Sequence, residues 1–546
     1  GINMNVDRCN DCRRCEQVCD MGIPVWEQGK LNGRVTAIED CMGCARCVVS
    51  CPTDALEIHD VRNLFRPDLK QNASHLLRRQ PNESVSRQVA INRRAEIRKQ
   101  DWGEIKIMPT LSQIQAQAKR CLDCGVPGCM NACPLSNRIP EWLEAAAKGE
   151  IKEAAEIAHA TSNLPEVCGR LCPQQRLCEG SCTKAREPGG AVTIGEIEQY
   201  IVDEAFLQGW CPRPPVRRNG KKIAVIGAGP AGLACADELN KAGCQVTVYD
   251  KQPIVGGLMA SGVPPFKLDK GILVYRQSLL AQHGIDFCLG EEINRQGLAD
   301  ILDAYDAVFL GTGAQVSREP VFTGKHLSGY MTALDYLSRV NQEFGGTELA
   351  GKSVLVLGGG DSAMDCARAA MRQGAKNVTV ACRNTLSDMR ASEKERQAAS
   401  EEGVDFIFQV TPEEMLGEES VCGVQFKTSL DVSKTIECDV VISAIGQIAE
   451  PIQWLSGLGV VTDSNWFILT DEQGCTSNKK IFAGGDNTHG PDLVVTAIAA
   501  GRRAAYGIVK SFSTTHHFLT MATSLLPLSN KHTYQQVEED VKRSAQ

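Results

Sequence analysis

Apolar runs that pass straight into glycine-rich turns and then into helical periodicity occur twice along this chain. Lys222-Ile-Ala-Val-Ile226 enters Gly227-x-Gly229-x-x-Gly232, and Ser353-Val-Leu-Val-Leu357 enters Gly358-x-Gly360-x-x-Ala363. Each predicts a buried strand, a tight turn and a helix. Each is followed by a second apolar strand, Gln245-Val-Thr-Val-Tyr-Asp250 in the first copy and Asn377-Val-Thr-Val-Ala-Cys-Arg383 in the second. The stretch from Ile139-Pro-Glu-Trp-Leu-Glu-Ala-Ala-Ala-Lys to His159 has helical periodicity, with Pro140 suited to a first turn. A helical hairpin is expected there. No run of eighteen apolar residues occurs, so nothing reads as a membrane-spanning helix.

Length adds that 546 residues fill three or four domains. With 43% hydrophobic and 23% charged residues, the chain is not disordered throughout. A net charge of -8 argues against a nucleic-acid partner, which calls for a basic face. The Arg-, Gln- and Asn-rich stretch 61–110 is expected to be a helix or connector on a solvated surface, with a basic docking face as the alternative. No signal peptide opens the sequence, which starts at Gly1 with its first Met at Met4. A processed, tagged or truncated terminus is expected.

Cysteine spacing changes the picture most. Of 25 cysteines, sixteen fall into two groups of eight. With no export signal in so long a chain, metal clusters fit better than a disulfide scaffold. The first group repeats one spacing, Cys9-x2-Cys12-x2-Cys15-x3-Cys19 and Cys41-x2-Cys44-x2-Cys47-x3-Cys51-Pro52. This is the bacterial ferredoxin pattern, in which the fourth thiolate of each run reaches the other cluster. Cys9, Cys12, Cys15 and Cys51 then hold one [4Fe–4S] cluster, and Cys41, Cys44, Cys47 and Cys19 the other. Structural zinc is the alternative, though it favours separated Cys pairs. The second group is Cys121-x2-Cys124-x4-Cys129-x3-Cys133-Pro134, then Cys168, Cys172, Cys178 and Cys182. The hairpin at 139–159 would bring its halves together.

The strings Arg120-Cys-Leu-Asp-Cys-Gly-Val-Pro-Gly-Cys129, Cys133-Pro-Leu and Cys172-Pro-Gln-Gln-Arg-Leu-Cys-Glu-Gly-Ser-Cys182 resemble the glutamate synthase small-subunit family. Similar domains occur in dihydropyrimidine dehydrogenase and in the flavin subunit of NADH-dependent ferredoxin:NADP oxidoreductases. The resemblance runs from about residue 111 to 510. It implies one cluster on Cys121, Cys124, Cys129 and Cys182, and a second on Cys133, Cys172, Cys178 and the non-thiolate ligand Glu198. Cys168 matches no ligand and reads as a free thiol.

In the first glycine copy, the turn brings a pyrophosphate to a helix amino terminus, and Asp250, 18 residues past Gly232, suits the adenosine ribose. In the second, no acid ends the following strand and Arg383 stands where a 2′-phosphate would lie, which favours NADP over NAD. The family often carries two adjacent arginines, where this chain has Arg383-Asn384. The resemblance implies FAD at the first site and NADP(H) at the second. It also implies that Gly313, in Leu310-Gly-Thr-Gly-Ala314, and Asp486, in Ile481-Phe-Ala-Gly-Gly-Asp486, border the flavin; Gly256-Gly257 would let the backbone approach it.

The expected fold class is α/β: two Rossmann-like domains with the NADP domain inserted in the FAD domain, a helical iron–sulfur domain and a small α+β ferredoxin-like domain. The expected boundaries are 1–60 (ferredoxin-like), 61–110 (linker), 111–215 (helical cluster domain), 216–328 and 446–512 (FAD), 329–445 (NADP) and 513–546 (tail). The function implied is an NADPH:acceptor oxidoreductase subunit wiring NADP(H), FAD and four [4Fe–4S] clusters to a partner subunit, with no catalytic base required. Alternatives are an electron-bifurcating transhydrogenase subunit, a glutamate synthase small subunit, or a wiring or assembly module with a vestigial NADP site. A cytoplasmic location is expected. A membrane-associated partner, or a membrane segment upstream of Gly1, is the further expectation, from a faint likeness of Cys15-Glu-Gln-Val-Cys-Asp-Met-Gly-Ile-Pro24 to polyferredoxins.

Overall fold

The computed structural model describes residues 85–512, apart from 125–126, 188, 213–216, 319 and 343–345, together with four short strands nearer the amino terminus. Those strands are β1 (Ile2–Met4), β2 (Trp26–Glu27), β3 (Lys30–Leu31) and β4 (Leu56–Ile58). β1 pairs antiparallel with β4, Ile2 opposite Ile58, and β2 pairs with β3, Trp26 opposite Leu31. In sequence the first ladder brackets the first eight cysteines and the second falls between their two runs; these cysteines lie outside the described residues, as does the tail after 512.

The chain divides into two compact units. The first contains α1 (Leu111–Ala118), α2 (Ile139–Lys148), α3 (Ile151–Thr161), α4 (Pro165–Leu171) and α5 (Ile194–Leu207). A capping box of Thr110 and Gln113 starts α1. The periodic stretch 139–159 divides into α2 and α3 because Gly149, at φ 85°, ends α2 in the left-handed conformation. Trp142, Leu143, Ile197 and Ile201 are buried against the small faces of Ala154, Ala155 and Ala158. Gly169 permits close contact of α4 with α5: a Cβ there would sit 2.7 Å from the Gln199 nitrogen.

The second unit begins its first sheet with β5 (Lys222–Ile226), α6 (Pro230–Lys241), β6 (Gln245–Asp250), β7 (Ile285–Leu289) and β8 (Ala307–Leu310). The chain then leaves through β9 (Val316–Ser317) and builds β10 (Tyr330–Thr332), β11 (Ser353–Leu357), α7 (Asp361–Arg372), β12 (Asn377–Ala381) and β13 (Asp405–Ile407). A three-stranded antiparallel sheet follows, β14 (Val410–Gly417), β15 (Val421–Thr428) and β16 (Ser433–Glu437), before β17 (Val440–Ser443). β18 (Gln447–Ile448) pairs with β9 on the way back, and β19 (Ile481–Ala483), α8 (Asp486–His489) and α9 (Val494–Ser511) complete the first sheet's domain. The strand orders are β19-β8-β5-β6-β7 and β10-β17-β11-β12-β13, and every pair in them is parallel. The second Rossmann-like sheet is thus inserted in the first domain, as the expected fold class had it.

One stretch differs from expectation. Residues 91–107 pack within the second unit. Arg98, only 2% exposed, donates Nε–H to Glu402 Oε1 at 2.8 Å. Glu402 also accepts from Arg372 at 2.6 Å and from Arg368 at 2.9 Å, and the Phe266 ring lies 3.9 Å from the Arg372 guanidinium. This part of the arginine-rich segment is therefore anchored through buried Arg98 and Ile105 while most of its other side chains stay partly exposed, because a fully buried carboxylate draws its cations inside. No helix among the described residues is long and apolar enough to cross a membrane.

Candidate functional site

In the first unit, the chain after α1 passes Cys121 and Cys124, with Asp123 between them at φ 49°. It reaches Cys129 in the short helix Gly128–Asn131. Cys182 arrives from a separate turn that lies against this helix. Only glycine permits that approach, since a Cβ on Gly128 would sit 2.2 Å from the Ser181 carbonyl. The four cysteines line one cavity together with Pro140, Leu143, Thr183 and Ile194. Cys124 Sγ lies 3.2 Å from Thr183 Oγ1, and the Asp123 N–H donates to Cys121 Sγ at 3.5 Å. Two halves of the sequence more than fifty residues apart thus supply one set of thiols.

Cys133, Cys172, Cys178 and Glu198 form a second set, close enough that their charges perturb one another. Burial pushes the Cys133 thiol up to about 12 and, with the Glu166 charge, the Glu198 carboxyl up to about 8, while a hydrogen bond from Asn137 pulls Glu198 back. Glu198 is 8% exposed. Asn137 Nδ2 donates to its Oε1 at 2.9 Å, and no cation pairs with it among the described residues. Cys168 is buried beside this set, its Sγ 3.9 Å from Ser162 Oγ.

In both sets burial disfavours the charged forms of the donors, and a bound metal cluster would supply the positive charge that stabilises them as ligands. Among the described residues, no three His, Cys, Asp or Glu side chains converge as a single ion would need. Four thiols lining one cavity suit a cubane, which spreads its thiolates around a volume rather than a point.

The first glycine loop is shaped by close approaches. Gly227 has φ 105°, and a Cβ on it would meet the Gly311 carbonyl at 2.3 Å; one on Gly232 would meet the Gly227 carbonyl at 1.8 Å. Over Gly229 there is open space for 4 Å, and no side chain caps the amino terminus of α6. A phosphate-bearing group can therefore reach its N–H groups. Asp250, at the end of β6, accepts from the Ala228 N–H at 2.6 Å and the Gln252 N–H at 2.8 Å. It braces the glycine loop from the end of the strand. The Gly256 N–H donates to the Ala228 carbonyl at 2.8 Å, and Gly257 backs onto Gly229. Because β19 lies beside β8, Asn487 Nδ2 bonds the Leu310 carbonyl at 2.9 Å, joining the string that holds Gly313 to the one that holds Asp486. Burial pushes the Asp486 carboxyl up to about 7. Asn487 had no sequence signal of its own.

In the inserted domain, Gly358 has φ 138° and a Cβ there would lie 2.3 Å from the Ala444 carbonyl; Gly360 is open for 4 Å at the uncapped start of α7. Ala363 is fully buried in the first turn. Arg383 is exposed just past β12. The loop beyond folds back, and its Ala391 N–H bonds the Gly359 carbonyl at 2.9 Å. That bond carries exposed Arg390 to the glycine turn. Nothing local in the sequence marks this return of the loop.

Comparison with known proteins agrees. A family model for pyridine nucleotide-disulphide oxidoreductase matches residues 221–501. A model for dihydropyrimidine dehydrogenase domain II, 4Fe-4S cluster, matches 98–210, and one for a 4Fe-4S dicluster domain matches 8–56. The glutamate synthase [NADPH] small chain of Halomonas elongata is 44% identical over 78% of this chain and 96% of its own length. That of Escherichia coli is 45% identical over 76% and 94%. The putative oxidoreductase AegA of Escherichia coli is 39% identical over 93% of this chain and 86% of its own. Glycine turns, buried thiols and matched length converge: this chain belongs to the glutamate synthase small-chain family of FAD-, NAD(P)H- and [4Fe–4S]-dependent oxidoreductases.

Proposed function

We propose that this chain is the electron-transfer subunit of an NADPH:acceptor oxidoreductase that passes electrons between NADP(H), FAD and four [4Fe–4S] clusters to or from a partner subunit. The carrying observation is the convergence of Cys121, Cys124, Cys129 and Cys182 on one cavity in a chain that also bears two open glycine turns. Bound flavin supplies the junction between two-electron nicotinamide chemistry and one-electron cluster chemistry. The protein's own contribution is positioning. Gly227, Gly229 and Gly232, with Asp250, Gly257, Gly313 and Asp486, form the FAD cradle. Gly358, Gly360 and Ala363 form the NADP(H) turn, with Arg383 and Arg390 as the 2′-phosphate cations.

Cys121, Cys124, Cys129 and Cys182 would hold one cluster, and Cys133, Cys172, Cys178 and Glu198 a second whose carboxylate ligand sets it apart in potential. The cysteines of 9–51 would hold the remaining two. The domain boundaries follow the sequence reading, with 91–107 assigned to the nucleotide-binding unit. A cytoplasmic location, a redox partner subunit and a membrane-associated acceptor belong to this same reading.

The near-complete match to glutamate synthase small chains favours a second reading, in which the partner is a glutamate synthase large chain. The dicluster segment 8–56 favours the first, since the AegA relative spans 93% of this chain and the small chains 76–78%. Anaerobically prepared chain should contain about sixteen iron atoms and one FAD, and should reduce a viologen dye with NADPH. Absence of dye reduction by flavin- and iron-replete protein would favour the wiring module instead. Copurification of the native complex identifies the partner.

A further inference from the structure

We propose that Asn137 is the positioning residue for the Glu198 carboxylate: it holds Glu198 Oε1 so that Oε2 alone is presented to iron. This inference rests on the reading of Glu198 as a cluster ligand. Asn137 is 3% exposed, and its Nδ2 donates to Glu198 Oε1 at 2.9 Å. The amide cannot turn round. Its Oδ1 accepts from Trp142 Nε1 at 3.2 Å and from Thr161 Oγ1 at 3.0 Å, and an indole nitrogen can only donate. Trp142 is fully buried in α2, Thr161 ends α3 and Glu198 stands in α5, so one side chain ties three helices to the ligand.

The turn that delivers Asn137 also delivers a ligand. The Ser136 N–H bonds the Cys133 carbonyl at 2.8 Å, and Ser136 adopts φ 48°, a left-handed conformation that a non-glycine residue holds only under surrounding constraint. Cys133 and the residue that orients Glu198 are thus set by one strained turn. The amide is neutral, so it engages one carboxylate oxygen without neutralising the charge that iron needs, as a lysine or arginine would. Hydrogen bonding to a ligand oxygen also withdraws electron density and favours the reduced cluster.

The test uses the anaerobic holoenzyme and potentiometric EPR titration. Asn137→Leu removes both the donor to Glu198 and the oxygen that Trp142 and Thr161 address, and Asn137→Ala removes the same groups without added bulk. Both variants are expected to alter the EPR signal of one cluster, shift its midpoint to more negative potential, and speed its loss to an iron chelator about 10-fold to 100-fold. The other cluster signals and the flavin content stay at wild-type values. Glu198→Gln separates the two ideas. If it changes a cluster signal while the Asn137 variants leave that signal, potential and iron loss unchanged, the positioning inference is wrong and the ligand assignment stands. If Glu198→Gln changes no cluster signal, the ligand assignment fails and this inference with it. Should Asn137→Leu fold poorly, Asn137→Ala alone decides.

Discussion

Two glycines two residues apart in the inserted domain should behave oppositely when replaced by alanine. At Gly360 the backbone has φ -98°, any residue can adopt it, and a Cβ would find open space for 4 Å. At Gly358 the φ is 138° and the same atom would press to 2.3 Å from the Ala444 carbonyl, against the end of β17. Gly360→Ala should therefore spare the fold, at a cost of no more than about 1 kcal/mol at the start of α7. Its methyl group instead fills the space through which a pyrophosphate reaches the helix N–H groups. Loss of one such hydrogen bond is worth about 1–3 kcal/mol, or about 5-fold to 150-fold in the Kd for NADPH. Gly358→Ala should strain the backbone by about 1–3 kcal/mol before the carbonyl contact is counted. NADPH titration followed by protein fluorescence, bound FAD from the visible spectrum, and the urea midpoint read the three effects separately. Unchanged NADPH affinity in Gly360→Ala, or a urea midpoint lowered as far as in Gly358→Ala, would refute the assignment of this turn to the nucleotide.

Arg383→Ala and Arg390→Ala should each weaken binding of 2′,5′-ADP about 10-fold while leaving 5′-AMP unaffected, because only the former carries the phosphate they face; equal losses for both ligands would show a general structural defect. Glu402 offers a pH test. Burial alone would raise its carboxyl, but the Arg372 and Arg368 guanidiniums hold it at about 2, below the ordinary 4.5. A depressed carboxyl stabilises the fold above pH 4.5 and loses that contribution as pH falls toward 2, a span worth about 3 kcal/mol. Glu402→Gln should cost about 3–5 kcal/mol at pH 7 and make the urea midpoint less sensitive to acid. Cys129→Ala should remove about four iron atoms and one EPR signal without altering FAD content; full iron retention would show that the cavity holds no cluster.

The nucleotide turns and the thiol sets were legible in the chain because their chemistry is local. A phosphate turn is one strand, three small residues and one helix, and a close approach such as that of Gly232 to the Gly227 carbonyl can be met by nothing larger than glycine. Cysteine runs behave similarly, since the number and spacing of thiols report the metal before any fold exists. The grouping of Cys182 with Cys121, Cys124 and Cys129 was reachable only by resemblance.

What surrounds those groups was decided in three dimensions. Asn137 meets Glu198 across 61 positions, and Arg98 meets Glu402 across 304, with no period or motif to mark either pair. Arg390 comes to the second glycine turn because a loop returns and one backbone bond closes it. The chain thus specifies by itself which groups can bind, through residue type and short-range spacing. How a buried carboxylate is oriented depends on buried polar groups finding partners, and that satisfaction exists only once distant segments have packed.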